Sequence, residues 1–341
     1  MKFRLLAIFA LLIAAPVAAQ QPKPLFAAND VINITIKGPI STLMRNRASA
    51  NLPGSLLSPT GETLPILLSV RGITRRTSDV CSFPPLRVQF ATAPPPTSIF
   101  AGQRRLKLVT HCQDNASFQQ YVLLEYTAYR MYNQLTPLSM RARLANVTYI
   151  QDDGRPVTTR LGYFLEESSD IARRNGLKEI HAPDRIPETT LSPIDAARYA
   201  LFQHMIANHD WSMRAGPAGE DCCHNARLIG RGGIASGTVV PIPYDFDFSG
   251  FVSAPYATPP DVLHIDNVRQ RVYRGYCIHN AQAAVVAAQM RAARPQMMAM
   301  IAETPGLIDK TRARAAAFVD QFFALIATDA DTQSKVLKRC L

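Results

Sequence analysis

The sequence is short of acid and has almost no tryptophan. Against 37 Lys and Arg stand 26 Asp and Glu, and Trp211 is the only Trp in 341 residues. It lacks a basic stripe interleaved with aromatics, which removes the usual footprint of a nucleic-acid surface. After the first residues it lacks any window long and apolar enough to span a bilayer as a helix. It lacks a paired C-x-x-C, which weighs against a structural zinc site. It lacks internal repeats and low-complexity tracts beyond its Ala-rich parts, which excludes a solenoid. G-x-G-x-x-G, H-R-D and D-F-G are absent too, so the strings of a conventional protein kinase are not there.

What is present begins with an export signal. Lys2 and Arg4 precede an apolar stretch from Leu5 to Ala15, and Val17-Ala18-Ala19 offers a small-residue cleavage site. Residues 1–19 are therefore expected to be removed, leaving an exported protein, periplasmic or secreted. The formal charge of +11 (37 minus 26) falls to +9 without Lys2 and Arg4. A positive surface favours anionic partners. Export gives the six cysteines a meaning: Cys81, Cys112, Cys222, Cys223, Cys277 and Cys340 are expected in disulfides. The vicinal pair is expected to bond to two different partners, with Cys277 the first candidate for one of them.

The hydrophobic patterning changes character along the chain. Residues 20–30 read as a flexible lead. Strands are expected at 31–37, 64–70, 86–90 and 105–110, with loop or hairpin between 38 and 63. A helix follows over 117–135, capped by Asp114 or Asn115. Two strands at 144–151 and 158–165 join through Asp152-Asp153-Gly154, a hairpin signal. Ser192 and Pro193 open a helix to 207. Strands near 226–229 and 239–243 come next, and from Tyr256 the chain reads as helical to its end, broken at Arg294-Pro295 and Pro305-Gly306. The class is α+β, with a strand-rich N-terminal lobe over 31–165 and a mostly helical C-terminal lobe over 166–341.

The chemistry concentrates at VVPIPYDFDFSG, residues 239–250. Asp245 and Asp247 are two apart in an apolar run, so an extended chain would present both to one face. Two carboxylates on a largely buried strand require a cation or donors between them, and a divalent metal is the functional answer. The other candidates follow a suggestive order: Lys107 on a strand, Glu125 on the helix after it, the hairpin, then Asp210, Asn225 and the aspartate pair. That is the order of parts in the protein-kinase fold.

Five segments stand together: Arg71-Gly72 with the Arg75-Arg76 knot, LKLVTHCQDNASF (106–118), RLGYFLEESSDIARRNG (160–176), NHDWS with CCHNARLI, and PYDFDFSG. In this order they resemble the CotH kinase family, the atypical secretory kinases related to spore-coat protein H. The resemblance covers about residues 31–256. It implies an atypical protein-kinase-like fold and transfer of the gamma-phosphate of ATP or another nucleotide, with Mg2+ or Mn2+, to a hydroxyl on a protein or glycan of the cell envelope. By position it implies that Asp210 is the catalytic base. Asn225, Asp245 and Asp247 would hold metal, Lys107 would meet the phosphates with Glu125 positioning it, and Phe164 and Glu166 would lie near the base. The sequence departs from the family before its third strand, where lysines are replaced by Phe83-Pro84-Pro85-Leu86-Arg87, and early in the helix, where Gln119-Gln120 replaces Arg-Asn. An alternative expectation is a kinase-fold binding or scaffold protein without turnover.

Overall fold

Alternation of apolar and polar residues closes the N-terminal strands into a barrel. A computed structural model describes residues 21–235 and 237–341, and the expected signal at 1–19 lies outside the described residues. The strands are β1 (Ile32–Gly38), β2 (Leu52–Leu57), β3 (Thr63–Val70), β4 (Leu86–Phe90), β5 (Arg105–Val109), β6 (Ala142–Gln151) and β7 (Pro156–Leu165). They close in the order β1-β2-β3-β4-β5-β7-β6. Only the β1–β6 pair is parallel, with Ile32 beside Ala145. Closure leaves no unpaired edge. Inward residues such as Ile36, Leu68, Val88, Leu106, Leu108 and Phe164 fill the barrel.

A second core lies outside the barrel. Helix α1 (Ile40–Arg45) is short. Helix α2 (Ala116–Asn133) packs on the outside of β6 and β7, and its N-cap is Asn115, whose side chain accepts from the Phe118 amide at 2.7 Å. After the barrel come α3 (Ser168–Arg174), α4 (Pro193–Ile206), α5 (Asn280–Glu303) and α6 (Asp309–Leu325). A small sheet of β8 (Lys178–Ile180), β9 (Ala226–Gly230) and β10 (Val240–Pro243) runs in the order β10-β9-β8. Residues of α2, α4, α5, α6 and this sheet share one apolar core. The class is thus α+β, strand-rich first and mostly helical after.

Four expectations are corrected. The lead is docked: Leu25 and Phe26 are buried, and Arg143 bonds the Leu25 carbonyl at 3.2 Å and Asp30 at 2.8 Å. Residues 257–279 are largely irregular rather than helical, whereas the segment 38–63 holds α1 and, in keeping with the hairpin expected there, β2 paired antiparallel with β3. Helix α5 runs through Pro295. Pro295 lies on the exposed face, where water can bond the carbonyl it cannot serve, while Ala287, Met290, Met297 and Ile301 keep both halves on the core. The cysteines pair as Cys81–Cys112, Cys222–Cys223 and Cys277–Cys340. Cys277 is taken by Cys340 because the chain end returns to it: the Cys277 amide bonds the Leu341 carbonyl at 2.9 Å and the Leu341 amide bonds that of Gly275 at 2.8 Å. The two adjacent cysteines are then left to each other.

The Cys277–Cys340 bridge spans 63 residues of sequence, and α5 and α6 lie inside that span. Replacing both cysteines by serine should lower the unfolding free energy by about 2–4 kcal/mol. Denaturant melts of the two proteins measure this, and coincident curves would show that the bridge adds nothing.

Candidate functional site

Arg75 is the cation that the paired aspartates require. It sits in a single helical turn, Thr74–Arg76, between β3 and β4, and is buried. Its Nη1 donates to Glu125 Oε2 at 2.8 Å and its Nη2 to Asp245 Oδ1 at 3.2 Å, and its Nε lies 3.2 Å from Asp247 Oδ2. The loop carrying it is anchored on both sides. Arg76 Nε donates to the Arg47 carbonyl at 2.7 Å, and Arg47 donates to that of Cys81, whose sulfur is bonded to Cys112. Glu125 arrives from the middle of α2. The aspartates arrive from the turn after β10.

That turn differs from the extended run expected. The strand ends at Pro243, and Asp245 adopts a left-handed backbone with φ of 61°, a conformation Asp tolerates better than most residues. Tyr129 of α2 fixes it by accepting the Asp245 amide at 2.8 Å. The Asp245 side chain is 42% exposed and that of Asp247 only 7%. Tyr256 donates to Asp247 at 3.0 Å.

Glu125 and Asp247 are strongly perturbed because both are buried and share one guanidinium with Asp245. Burial, reinforced by Asp245 and Glu125 against the pull of Arg75, pushes the Asp247 carboxyl up to about 8. Burial also raises Glu125. Burial alone would lower Arg75, yet Asp247 and Glu125 hold it well above its ordinary value.

A second group stands in the same cleft. Helix α4 ends at Ala207, also left-handed, and the Asn208 side chain accepts the Asp210 amide at 3.1 Å. The Asp210 carboxylate is held by His224 Nε2 at 2.6 Å and by Asn225 Nδ2 at 2.9 Å. The Asn225 carbonyl is bonded by Tyr199 of α4 at 3.1 Å. The hydrogen bond to Asp210 raises the His224 imidazole above its usual value. The bonded Cys222–Cys223 pair lies just before His224 and also lines the cleft. The cleft has a volume of about 1200 Å3 and is walled on the barrel side by Arg71, Arg87 and Lys107, with Arg227 and Tyr244 facing.

Lys107, Asp210, Asn225, Asp245 and Asp247 all line this cleft. The expected Lys107–Glu125 pair is not formed. Lys107 points out of the barrel between Leu106 and Leu108, meets Glu167 at 3.6 Å and lies over the Tyr244 ring. Burial lowers its ammonium, and Arg71 and Arg227 add to this against Glu167. Phe164 is inside the barrel, edge-on to Phe100, because strand alternation turns Tyr163 and Leu165 outward instead. Glu166 is buried against Arg174 at 3.1 Å and accepts the Arg141 amide, so its charge is used within the fold. Arg75 and His224 lie in segments that the sequence singled out, but neither was assigned a role in the site. The available signal for Arg75 was electrostatic: buried carboxylates need a cation, and a guanidinium serves several at once.

Oxygen atoms of Glu125, Asp245 and Asp247 lie within 4.8 Å of one another, and the three could hold a metal ion. Hard carboxylate ligands suit Mg2+ or Mn2+. One guanidinium cannot neutralise three carboxylates, and the proton held by Asp247 marks the unmet charge. Asn225 stands with Asp210 rather than within this trio.

This arrangement makes stability depend on pH. The folded protein keeps a proton on Asp247 that the unfolded chain releases in the ordinary Asp range, so stability should fall as pH rises from that range to about 8. The slope should reach at most about 1.4 kcal/mol per pH unit. Asp247→Asn should flatten it, and Mn2+ should oppose the loss at the alkaline end by replacing the proton. Melting temperatures across this range in chelating buffer and with Mn2+ test both points; a profile unchanged by Asp247→Asn would remove Asp247 as the titrating group.

Comparison of the chain with models of known protein families and with curated proteins finds no match in either.

Proposed function

We propose that the protein is an exported, divalent-metal-dependent phosphotransferase of atypical kinase type, similar to CotH kinases, which moves the terminal phosphoryl group of a polyphosphorylated donor such as ATP to a hydroxyl on a protein or glycan. One observation carries this reading: a single cleft brings three cations, Arg71, Lys107 and Arg227, the first and last of them without an ion pair among the described residues, together with a fixed carboxylate, Asp210, and with Asp245 and Asp247 of the carboxylate trio that the buried Glu125 completes. Phosphoryl transfer needs those three kinds of group and little else. The succession of strands, α2, hairpin, α4, Asp210, β9, β10 and the aspartates follows the kinase order of parts. Three disulfides, and no membrane-spanning helix among the described residues, are compatible with export.

The residues divide the work as follows. The cationic wall binds the donor phosphates and stabilises charge on the leaving oxygen. Asp210, its carboxylate aimed by His224 and Asn225, accepts the acceptor hydroxyl proton. The acceptor oxygen bonds to phosphorus as the bridging P–O bond breaks, and the leaving phosphate carries away that electron pair. A metal held by Asp247, Asp245 and Glu125 would neutralise phosphate charge. Arg75 keeps these carboxylates together and ties them to the barrel.

A second reading, a binding protein without turnover, draws on one observation. Arg75 already engages all three carboxylates, and Lys107 is paired with Glu167 instead of Glu125.

Transfer from gamma-labelled ATP to generic acceptors, with Mg2+ and with Mn2+, separates the readings. Asp210→Asn should lower transfer by about 10²- to 10⁴-fold, and Asp247→Asn should lower it as strongly. Undiminished transfer in either variant overturns the assignment. Phosphate-dependent thermal stabilisation without transfer favours the binding reading.

A further inference from the structure

The large cleft does not end at Lys107. A second cleft of about 750 Å3, whose lining includes Gln89, Gln103, Arg104, Arg105, Glu167 and Asp170, opens beside it. Strand register joins the two. Arg87 on β4 stands opposite Lys107 on β5, and Gln89 stands opposite Arg105. Arg105 and Lys107 are two residues apart, so they leave the same outer face of the barrel about 7 Å apart. The Lys107–Glu167 ion pair marks the boundary, Lys107 lining the large cleft and Glu167 the small one.

Charge along this path is unevenly matched. The carboxylates at the boundary and in the small cleft are neutralised: Glu167 by Lys107 and Asp170 by Lys23 at 2.8 Å. Five guanidinium groups, Arg71, Arg87, Arg104, Arg105 and Arg227, make no ion pair among the described residues and line one cleft or the other. In the small cleft Gln103 is only 2% exposed, and its amide nitrogen has no hydrogen-bond partner among the described residues. A buried, unmet donor beside unpaired cations calls for an acceptor-rich anion. The aromatic surface is spoken for. Phe90 is buried, and the Tyr244 ring lies under Lys107 at 5.8 Å and Arg227 at 5.1 Å. Phe248 is half-buried edge-on to Tyr256, so no fully exposed Phe, Tyr or Trp ring lines either cleft for bases to stack on.

We propose that the two clefts form one groove for a linear inorganic polyphosphate chain, with its terminal phosphates at Arg71, Lys107 and Arg227 beside Asp210 and the following phosphates along Arg87, Arg105 and Arg104. This rests on the phosphotransfer reading and names its donor class. Transfer breaks the terminal P–O–P bridge: the acceptor oxygen gains the phosphoryl group, Asp210 takes its proton, and the chain leaves one phosphate shorter.

Calorimetric titrations of the intact oxidised protein with tripolyphosphate, medium-chain polyphosphate, ATP and a single-stranded oligonucleotide test the groove. The same ligands are then titrated into an Arg104→Ala/Arg105→Ala variant. Polyphosphate should bind at least about ten-fold more tightly than tripolyphosphate or ATP, with a steeper salt dependence. The double substitution should remove that advantage and leave tripolyphosphate binding unchanged. ATP binding more tightly than polyphosphate, an oligonucleotide binding as tightly, or indifference to the double substitution would each overturn the proposal. Absence of binding by every phosphate compound overturns the phosphotransfer reading as well. The expected binding pattern without transfer from terminally labelled polyphosphate supports the groove and overturns only phosphotransfer.

Discussion

The contact of Arg75 with three carboxylates is the point on which the two halves of the molecule depend. The guanidinium comes from a loop of the barrel, Glu125 from the helix packed outside it, and Asp245 and Asp247 from the turn after the small sheet. Arg75, Glu125 and Asp247 could not be buried alone, because an unpaired charge away from water costs several kcal/mol. Together they fix the floor of the cleft. Lys is a poor substitute there: a compact ammonium cannot present three nitrogens in a plane to three separate acceptors. An arginine at this point also frees Lys107 from the glutamate on α2 and lets it face the cleft.

Most of the architecture was legible because local rules and tertiary packing agree. Period-two alternation marked β1, β3, β4 and β5 to within about a residue, and Asn115 and Ser192 marked the starts of α2 and α4. The misses have physical causes. Helix α5 overrides Pro295 through packing on both sides of it. Arg75 was legible only as part of a basic knot after Arg71-Gly72, because its partners are 50 and 170 residues away and only the closed fold brings them together. Phe164 and Glu166 were placed by analogy with a link after a hairpin, whereas strand alternation and Arg174 decide where they point. The chemistry of the cleft was legible as residue types, Asp210 and the aspartate pair above all, but not as pairings.

The cleft is also organised by tyrosines. Tyr129 holds the Asp245 amide, Tyr199 the Asn225 carbonyl and Tyr256 the Asp247 carboxylate. Each ring belongs to a hydrophobic contact as well, Tyr129 with Phe246 and Tyr199 with Trp211. Asn225 and Asp245 both have left-handed backbones, and buried tyrosine hydroxyls hold both residues in place. The apolar core thereby sets the orientation of polar groups that would otherwise be free to turn.

The parallel pairing of β1 with β6 carries a consequence for how the chain comes together. Ile32 must wait for Ala145, and the hairpin of β6 and β7 completes only at Leu165. Until then the first strand has β2 on one side and an open edge on the other. Emerging from its N-terminus, whether from a ribosome or through a membrane, the protein passes a long interval in which its barrel cannot shut. Such long-range closure is slow and leaves strand edges available to wrong partners. The polar residues facing outward on β1, Asn33, Thr35 and Lys37, suit a strand that waits in water for its last neighbour.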